Sequence, residues 1–358
     1  MAQRNRVKLS TIAERLGVST ATVSLALRDS PAVADKTRAM VKREAANLGY
    51  IHNRRAASLR TRRSGILGVV VHDVINPFYG EIIRAVEEEL DRERETFVLS
   101  NHYDDLSKQR TFIETLLQLG ADGVIMSPAI GTRPDDLRVA TSNGMPVVLV
   151  ARSVDGFDGP TFRGDDAHGI SLATRHLVAL GHTRIAMVGG TDATSTGRDR
   201  YRGYVEALEF AGLKADPQLR LPGPRTKRAG FEMATEFLSL PQRPTAAVCW
   251  NDLAAIGLMS GIARAGLRPG LDVSVTGYDD LDEAAIATPS LTTVWNGQSE
   301  VGRQAARAMR DLVRANADAA EGGGAAPEPG SVGVPGTVLI RPELRIREST
   351  RRLTTGAG

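Results

Sequence analysis

Apolar side chains recur at helical spacing in three short segments within the first fifty residues. The first lies around Ile12, and the others run over residues 20–27 and about 35–48. Gly17 allows a tight turn between the first two segments, and Ser19 is a favourable N-cap for the second. The pattern predicts three small helices, the first two joined by a sharp turn as in a helix-turn-helix. A small three-helix bundle without a DNA-binding role has the same pattern.

The start of the first helix has two candidate caps. Thr11 and Glu14 have the spacing of a capping box, and Ser10 can also serve as the N-cap. Either arrangement would satisfy backbone N–H groups that the first turn leaves without partners.

The second segment turns several side chains away from the predicted core. In a helix-turn-helix this helix enters the major groove, where its N-terminal residues reach base edges. Thr20 and Thr22 can bond bases or phosphates, whereas Leu25 has no hydrogen-bonding group and can lie against a thymine methyl. The candidate DNA-contacting residues of this region are Ser19, Thr20, Ala21, Thr22, Ser24, Leu25 and Thr37.

Residues 51–64 are rich in arginine and contain the short apolar interruption around Leu59. One interpretation is a flexible basic linker. The other is a short helix that forms only on DNA, because phosphates would remove the repulsion between its arginines. In that case Leu59 is an apolar wedge for a minor-groove step, and Arg60 beside it contacts the DNA.

Residues 65–294 alternate short apolar runs with amphipathic stretches, which predicts parallel sheets with helices on both faces. There are more such units than one compact lobe holds. Strands are predicted at 66–71, 97–100, 124–126, 147–150, 185–188, 246–249 and 273–276. Helices are predicted at 79–93, 107–119, 170–180, 202–211, 231–238 and 253–265.

Charge divides the chain unevenly. Residues 1–64 hold 14 Lys and Arg against 4 Asp and Glu, whereas the whole chain holds 45 against 42. A basic head on a mildly acidic body suggests a polyanion-binding module joined to something else. A solubilising basic tail is the plainer interpretation, but the helical periodicity of the head argues against it.

Composition excludes several classes of protein. The single cysteine, Cys249, cannot form an internal disulfide, and a structural zinc site usually needs several Cys or His. The opening MAQRNRVKLS has no apolar stretch typical of a secretory signal. The longest apolar run, 66–71, is too short to span a membrane. We therefore expect a soluble, cytoplasmic protein.

Enzyme chemistry is not indicated. No strand is followed by G-x-G-x-x-G or G-x-x-x-x-G-K-[ST], so no cofactor is expected. The histidines show no metal-ligand spacing and no nucleophile partner, and we interpret them as surface or capping residues: His72, His102, His168, His176 and His182. A periplasmic solute-binding protein is the other alternative, which the basic head and the missing signal disfavour.

Several segments resemble the lactose/galactose repressor (LacI/GalR) family, in order and over nearly the whole chain. They include VKLSTIAERLGVSTATVSLALRDSPAVADKTRAMVKREAANLGY, NRRAASLRTRRSGILGVVV, NPFYGEIIRAVEEEL, RHLVALGHTRIAMVGG, RPTAAVCWNDLAAIGLM and DVSVTGYDDLDEAAIATPSLTTV. The resemblance implies that Thr20, Ala21 and Leu25 read bases and that Leu59 intercalates. Leu25 stands where the family usually has a polar residue, which shifts the expected operator. Two further departures, His52 for proline and Ala57 for arginine, weaken the expected hinge helix.

The resemblance also implies the architecture. An all-α helix-turn-helix headpiece (1–50) and a hinge (51–64) precede an α/β body of two periplasmic-binding-protein-like lobes with doubly wound parallel sheets. The first lobe is expected at 65–164 plus about 295–318, and the second at 165–294 plus about 337–358. The chain is expected to cross between lobes near Gly164, near Trp295 and within the Gly/Pro/Ala-rich stretch 318–336, which reads as a mobile surface loop.

In such folds ligands bind beyond the carboxyl ends of the strands. Arg200 and Asp279 match the family's effector-contacting arginine and aspartate. Asp252 is interpreted as a helix N-cap. The further candidates for effector contact are Phe78, Tyr79, Asp165, Thr196, Arg225, Asn251 and Trp295.

Two departures from the family bear on the effector. Arg225 stands where some members place an aromatic residue over the ligand, and Ala151, followed by Arg152, stands where an aspartate is common. An added arginine and a lost carboxylate favour an acidic effector, such as a sugar acid or a phosphorylated sugar. The alternative is that Arg225 points to solvent.

Together these observations predict a DNA-binding regulator with a sensory body. A homodimer is expected, and its two-fold symmetry predicts a near-palindromic operator. Ligand in the cleft is expected to change the angle between the lobes and so the affinity for DNA. Release of the DNA by an inducer is the favoured outcome, and tighter binding with a co-repressor is the alternative. No leucine-heptad tail follows LRIREST, so tail-mediated tetramers are not expected.

Overall fold

The computed structural model describes residues 7–50, 63–92, 95–321, 334 and 336–353. The chain divides into two compact units, a head (Met1–Ser64) and a body (Gly65–Gly358). The hinge residues Leu59 and Arg60, and most of the stretch 318–336, lie outside the described residues. Within the described residues, no helix has both the length and the apolar character needed to cross a membrane.

The described residues of the head form three helices: α1 (Leu9–Leu16), α2 (Thr20–Leu27) and α3 (Asp35–Asn47). They close around Ile12, Val23 and Val41, whose side chains are fully buried. Gly17 ends α1 in the left-handed region, at φ 64°, which glycine adopts without a steric penalty. The predicted helix-turn-helix is confirmed, with α2 beginning and ending at its predicted residues.

The caps of the head helices differ in part from expectation. Ser19 caps α2, since its Oγ accepts a hydrogen bond from the Thr22 N–H at 3.0 Å. The capping box expected for α1 is wrong. That helix begins at Leu9, so its N-cap position is Lys8, three residues before Thr11, and Lys8 makes no side-chain cap.

The first sheet of the body has six parallel strands in the order β11-β5-β4-β3-β1-β2. Helices cover both faces of this sheet, and an apolar cluster is buried between the helices and the sheet on each face. The strands are β1 (Ile66–Val71), β2 (Thr96–Asn101), β3 (Gly123–Met126), β4 (Val147–Val150), β5 (Thr161–Gly164) and β11 (Thr337–Ile340). The helices are α4 (Pro77–Asp91), α5 (Leu106–Leu119), α6 (Pro134–Thr141) and α12 (Gln298–Glu321).

The second sheet has four parallel strands in the order β7-β6-β8-β9. A separate antiparallel pair joins β10 to β12. The strands are β6 (Ile185–Val188), β7 (Arg220–Leu221), β8 (Ala246–Cys249), β9 (Ser274–Thr276), β10 (Thr293–Trp295) and β12 (Glu343–Arg345). The helices are α7 (Asp166–Ala179), α8 (Ser195–Phe210), α9 (Lys227–Ser239), α10 (Asp252–Arg264) and α11 (Asp282–Ile286), with a 3-10 turn at Pro217–Leu219. The predicted α/β body of doubly wound parallel sheets is confirmed.

Over the part of the body that the structure describes, the chain passes between the two lobes three times. It leaves the first sheet after Gly164, returns after Trp295 to form α12, and leaves again after Ile340. The sequence analysis placed the third passage within 318–336, but the structure places it after Ile340. Residues Thr337–Ile340 pair with Thr161–Gly164 in the first sheet, so placing the chain from about 337 onward in the second lobe is wrong for this strand.

Candidate functional site

A cavity of about 50 Å³ lies where the carboxyl ends of the strands of both sheets face each other. Loops from both lobes line it, because parallel strands bring their carboxyl ends to one edge of each sheet. The lining residues are His72, Asn76, Phe78, Tyr79, Ala151, Arg152, Thr196, Arg200, Arg225, Trp250, Asn251 and Asp279.

Most of the predicted effector residues line this cavity. Asp165 and Trp295 lie elsewhere. Asp165 caps α7 by accepting a hydrogen bond from the His168 N–H at 3.1 Å, and Trp295 lies in β10 opposite Glu343. The predicted residues that line the cavity are Phe78, Tyr79, Thr196, Arg200, Arg225, Asn251 and Asp279.

Arg200 is a buried, firmly anchored cation of the second lobe. Its Nε donates to Asp166 Oδ1 at 2.8 Å, and Nη1 donates to the Trp250 carbonyl at 2.5 Å. The guanidinium lies 3.9 Å from the centroid of the Tyr278 ring. These contacts fix the guanidinium plane, which leaves a preorganised fork beside the cavity.

Asp279 lies close to Arg200, with 3.8 Å between Oδ1 and Nη2. Its backbone has φ 111°, a conformation that costs a non-glycine residue free energy. Burial raises the pKa of Asp279 to about 7, although Arg200 acts in the opposite direction. Near neutral pH this carboxyl can therefore both donate and accept hydrogen bonds.

The assignment of Asp252 as a helix N-cap is wrong. Asn251 caps α10, since its Oδ1 accepts from the Ala254 N–H at 2.9 Å. Asp252 is fully buried and accepts from the Leu281 N–H at 2.8 Å and from Thr293 Oγ1 at 2.5 Å. It ties the loop after β9 to β10, and its burial raises its pKa well above the usual value.

The wall contributed by the first lobe is built around Asp104. Its Oδ1 lies 2.5 Å from Arg152 Nη1 and accepts from the Ile130 N–H at 3.2 Å. Its Oδ2 lies 3.1 Å from His72 Nδ1. Burial opposes ionisation, but His72 and Arg152 together hold the pKa of Asp104 well below its usual range. The carboxylate is therefore ionised throughout the physiological range.

Arg225 reaches from the second lobe toward this wall. Its Nη2 lies 3.2 Å from His72 Nε2 and 3.5 Å from Asp104 Oδ2. Only 21% of the side chain is exposed. The alternative in which Arg225 points to solvent is therefore wrong: its guanidinium faces the cavity.

The interpretation of the histidines as surface or capping residues is wrong for two of them, His102 and His182. His102 is fully buried. Its Nδ1 accepts from the Asp104 N–H at 2.9 Å, and its Nε2 donates to the Ser127 carbonyl at 2.7 Å. Burial lowers the pKa of His102 to about 4, so the ring is neutral. His182 is also buried, between Thr245 and Ser274.

His72, His102 and Asp104 bring ligand-type atoms within 4.8 Å of one another. This cluster does not suit a metal ion. Both ring nitrogens of His102 are already bonded, and Asp104 already contacts Arg152, a cation that would repel another cation.

Five residues that line the cavity were not among the predicted effector contacts: His72, Asn76, Ala151, Arg152 and Trp250. Arg152 was noted only as a neighbour of Ala151. A signal was present, because His72, Arg152 and Trp250 each come within two residues of the carboxyl end of a strand. Asn76 precedes α4 and caps it, with its Oδ1 accepting from the Phe78 N–H at 3.1 Å.

The exposed face of α2 is the candidate DNA-reading surface of the head. Thr20 and Ala21 are exposed, whereas Ser24 and Thr37 are half-buried. Ser19 Oγ and Thr22 Oγ1 lie 2.9 Å apart. Among these positions Ser19, Thr20 and Ala21 are exposed and accessible to a partner.

The sequence suggested that Leu25 faces away from the head core, but in the structure it contacts this core. It is half-buried and packs against the apolar cluster around Val23. Part of the side chain remains available to a thymine methyl, but part of it stabilises the head.

Two sequence-family models match the chain. Residues 8–53 match the bacterial regulatory proteins of the lacI family, and residues 64–323 match the periplasmic binding proteins and sugar binding domain of the LacI family.

Individual relatives match over nearly the full length. The transcriptional repressor CytR of Escherichia coli K12 is 30% identical over 98% of each chain. The lac repressor dimer bound to operator and the anti-inducer ONPF superposes with a TM-score of 0.83 at 26% identity, over 97% of this chain and all of that one. The regulator CelR in complex with cellobiose gives a TM-score of 0.69 at 28% identity, over 96% of this chain and all of that one.

These matches confirm the resemblance seen in the sequence segments. Because the matched family consists of regulatory proteins, the prediction that the chain is not an enzyme is confirmed as well. The chain belongs to the LacI family of bacterial regulatory proteins.

Proposed function

We propose that this protein is a transcriptional repressor that binds a near-palindromic operator as a homodimer and is released by a small molecule. The observation that carries the proposal is one chain that joins a helix-turn-helix head to a cavity lined by Arg200 and Asp279 between two lobes. The relatives support the same arrangement, since the lac repressor was crystallised as a dimer on operator and CelR with cellobiose.

The head supplies the contacts to DNA. Thr20 and Ala21, exposed at the start of α2, read base edges in the major groove. The polar residues around them bind phosphates and set the register of the head: Ser19, Thr22, Ser24 and Thr37. Leu25 adds an apolar contact through its exposed part. Leu59 and Arg60 are proposed contacts in the minor groove.

The cavity supplies the response. A sugar or sugar derivative held by loops of both lobes changes the angle between them, and this change is passed to the segment that precedes β1. Affinity for ligand and affinity for DNA are then coupled, and each changes the other by the same factor. A repressor acting on bacterial genomic operators works in the cytoplasm.

Recovery of bound genomic DNA tests the proposal. The purified full chain is mixed with sheared DNA of the source bacterium, and the retained fragments are sequenced. We expect a shared near-palindrome upstream of a few genes. Ala21→Glu places a negative charge on the reading face and abolishes enrichment. Ala46→Glu, an equal change at an exposed position of α3, serves as the control. Random recovery by the unaltered chain would contradict the proposal.

A further inference from the structure

Two arginines from opposite lobes approach one carboxylate at the edge of the cavity. Arg152, after β4, takes the closer position: Nη1 lies 2.5 Å from Asp104 Oδ1, and Nη2 lies 3.4 Å from Oδ2. Nη1 also donates to the Pro128 carbonyl at 2.9 Å. Only 5% of the Arg152 side chain is exposed. Arg152 is thus the nearest arginine partner of Asp104.

Arg225 is left with weaker partners. Its distance to Asp104 Oδ2 is 3.5 Å, and its nearer contact, at 3.2 Å, is to a ring nitrogen of His72. Burying a cation is costly unless an anion compensates it. Burial and the nearby charge of Arg152 both lower the pKa of Arg225, consistent with a positive charge that is incompletely balanced.

The rest of the cavity does not supply the missing charge. Arg200 is matched by Asp166, at 2.8 Å, and approaches Asp279. Asp279 is the one carboxylate among the lining residues, and its raised pKa leaves it only partly ionised near pH 7. Three arginines therefore line the cavity together with one carboxyl group, that of Asp279. The other two acidic partners of these arginines, Asp104 and Asp166, are not among the lining residues.

We propose that the cleft takes a small organic acid, with a carboxylate or phosphate group, and that Arg225 is the residue that selects for this acid group. The inference rests on the proposed function and specifies its ligand. A guanidinium binds either group through two parallel hydrogen bonds. The acid group replaces Asp104 as the partner of Arg225. Because Arg225 and Arg152 belong to different lobes, an anion near both draws the lobes together.

Calorimetric titration of the full chain tests the ligand class. The probes are matched pairs, galactose with galacturonate and glucose with glucose 6-phosphate, together with acetate and inorganic phosphate as isolated acid groups. We expect each acid to bind about 10- to 100-fold more tightly than its neutral partner, as for a hydrogen bond to a charged group. If the gain in affinity over the neutral sugar is larger for galacturonate, the acid group is a carboxylate. If it is larger for glucose 6-phosphate, the acid group is a phosphate.

Three variants locate the effect. Arg225→Gln removes the preference for acids, and Arg225→Lys retains part of it. Arg268→Gln changes an arginine of the same lobe that is exposed and pairs with Asp272, and it leaves the preference unchanged. Thermal unfolding of each variant verifies that the fold is intact.

The inference is overturned by any of three results. These are neutral sugars binding as tightly as the acids, acids binding equally well to Arg225→Gln, or no binding by any acid of the set. None of these results depends on recovery of an operator. A chain that enriches a palindrome but prefers neutral sugars keeps the proposed function and loses the acidic ligand.

Discussion

At the scale of single residues, the second lobe buries carboxylates that ordinary solvation would keep ionised. Asp279 is 3% exposed and takes a left-handed backbone conformation beside Arg200. Its pKa rises from the ordinary 3.8 to about 7. The folded protein therefore binds this proton more tightly than the unfolded chain does, and stability depends on it.

Replacing Asp279 tests that dependence. The stabilising effect of the proton is fully present below about pH 4 and is lost as pH rises through 7. Between pH 5.5 and 8.5, the free energy of unfolding of Asp279→Asn should fall less than that of the unaltered protein. Asp272→Asn is the control, because Arg268 holds the pKa of Asp272 at about 2, below this range. Chemical denaturation at several pH values in this range measures the free energy of unfolding of each variant. If this free energy changes with pH equally for Asp279→Asn and the unaltered protein, the raised pKa of Asp279 is refuted.

Local chemistry in the sequence predicted part of the site. The strands that precede Arg200, Asp279 and Asn251 are clear apolar runs in the sequence. The resemblance to the family supported the choice of Arg200 and Asp279. The partnership of Asp104 with Arg152 and His72 was not predicted. These residues come from three separate loops of the first lobe, and neither periodicity nor motif spacing reports contacts between loops. His102 was misread for the same reason, since its partner Ser127 lies in another loop.

At the scale of elements, side chains that cap the ends of helices contribute to stability, and substitutions can measure that contribution. Ser19 caps α2 through the Thr22 N–H, so Ser19→Ala should cost about 1 kcal/mol. Ser10 lies within α1, after its first residue, so Ser10→Ala should cost much less. Hydrogen exchange of the α2 amides in the full chain measures the difference. Equal effects of the two substitutions would remove Ser19 as the cap.

Helices α9 and α10 approach closely through glycines. A Cβ at Gly257 would lie 2.0 Å from the Lys227 carbonyl oxygen, whereas one at Gly80 in α4 meets nothing within 4 Å. Gly257→Ala should therefore destabilise the body by about 1–3 kcal/mol. Gly80→Ala should be neutral or stabilise it by up to about 1 kcal/mol, because alanine favours helix. Thermal unfolding compares the two, and a tolerated Gly257→Ala would contradict the packing.

Elements with strong apolar runs were predicted well, and those defined by distant pairing were not. β1 and β4 have their predicted ends, since both are buried runs rich in valine. β11 was missed because Thr337–Ile340 is short and half exposed, and it becomes a strand only beside β5. Without that pairing, the boundary between the lobes fell in the wrong place.

At the scale of the whole molecule, the body is suited to respond to a ligand as a unit. Its chain passes between the lobes three times, so a change in their angle moves all three connections. Arg225 is already the cross-lobe partner of Asp104 and His72. A ligand that takes over this contact changes how the lobes are held together, and differential binding to the two arrangements is what coupling requires.

The most direct test of this coupling is a fluorescence anisotropy titration of the most enriched genomic fragment with the full chain. The titration is run without ligand and at a concentration of galacturonate or glucose 6-phosphate that saturates the cleft by calorimetry. The account predicts that the acid weakens binding to this fragment at least about 5-fold, and that binding to a scrambled fragment of the same length is unchanged. An operator affinity that the saturating acid leaves unaltered would contradict it.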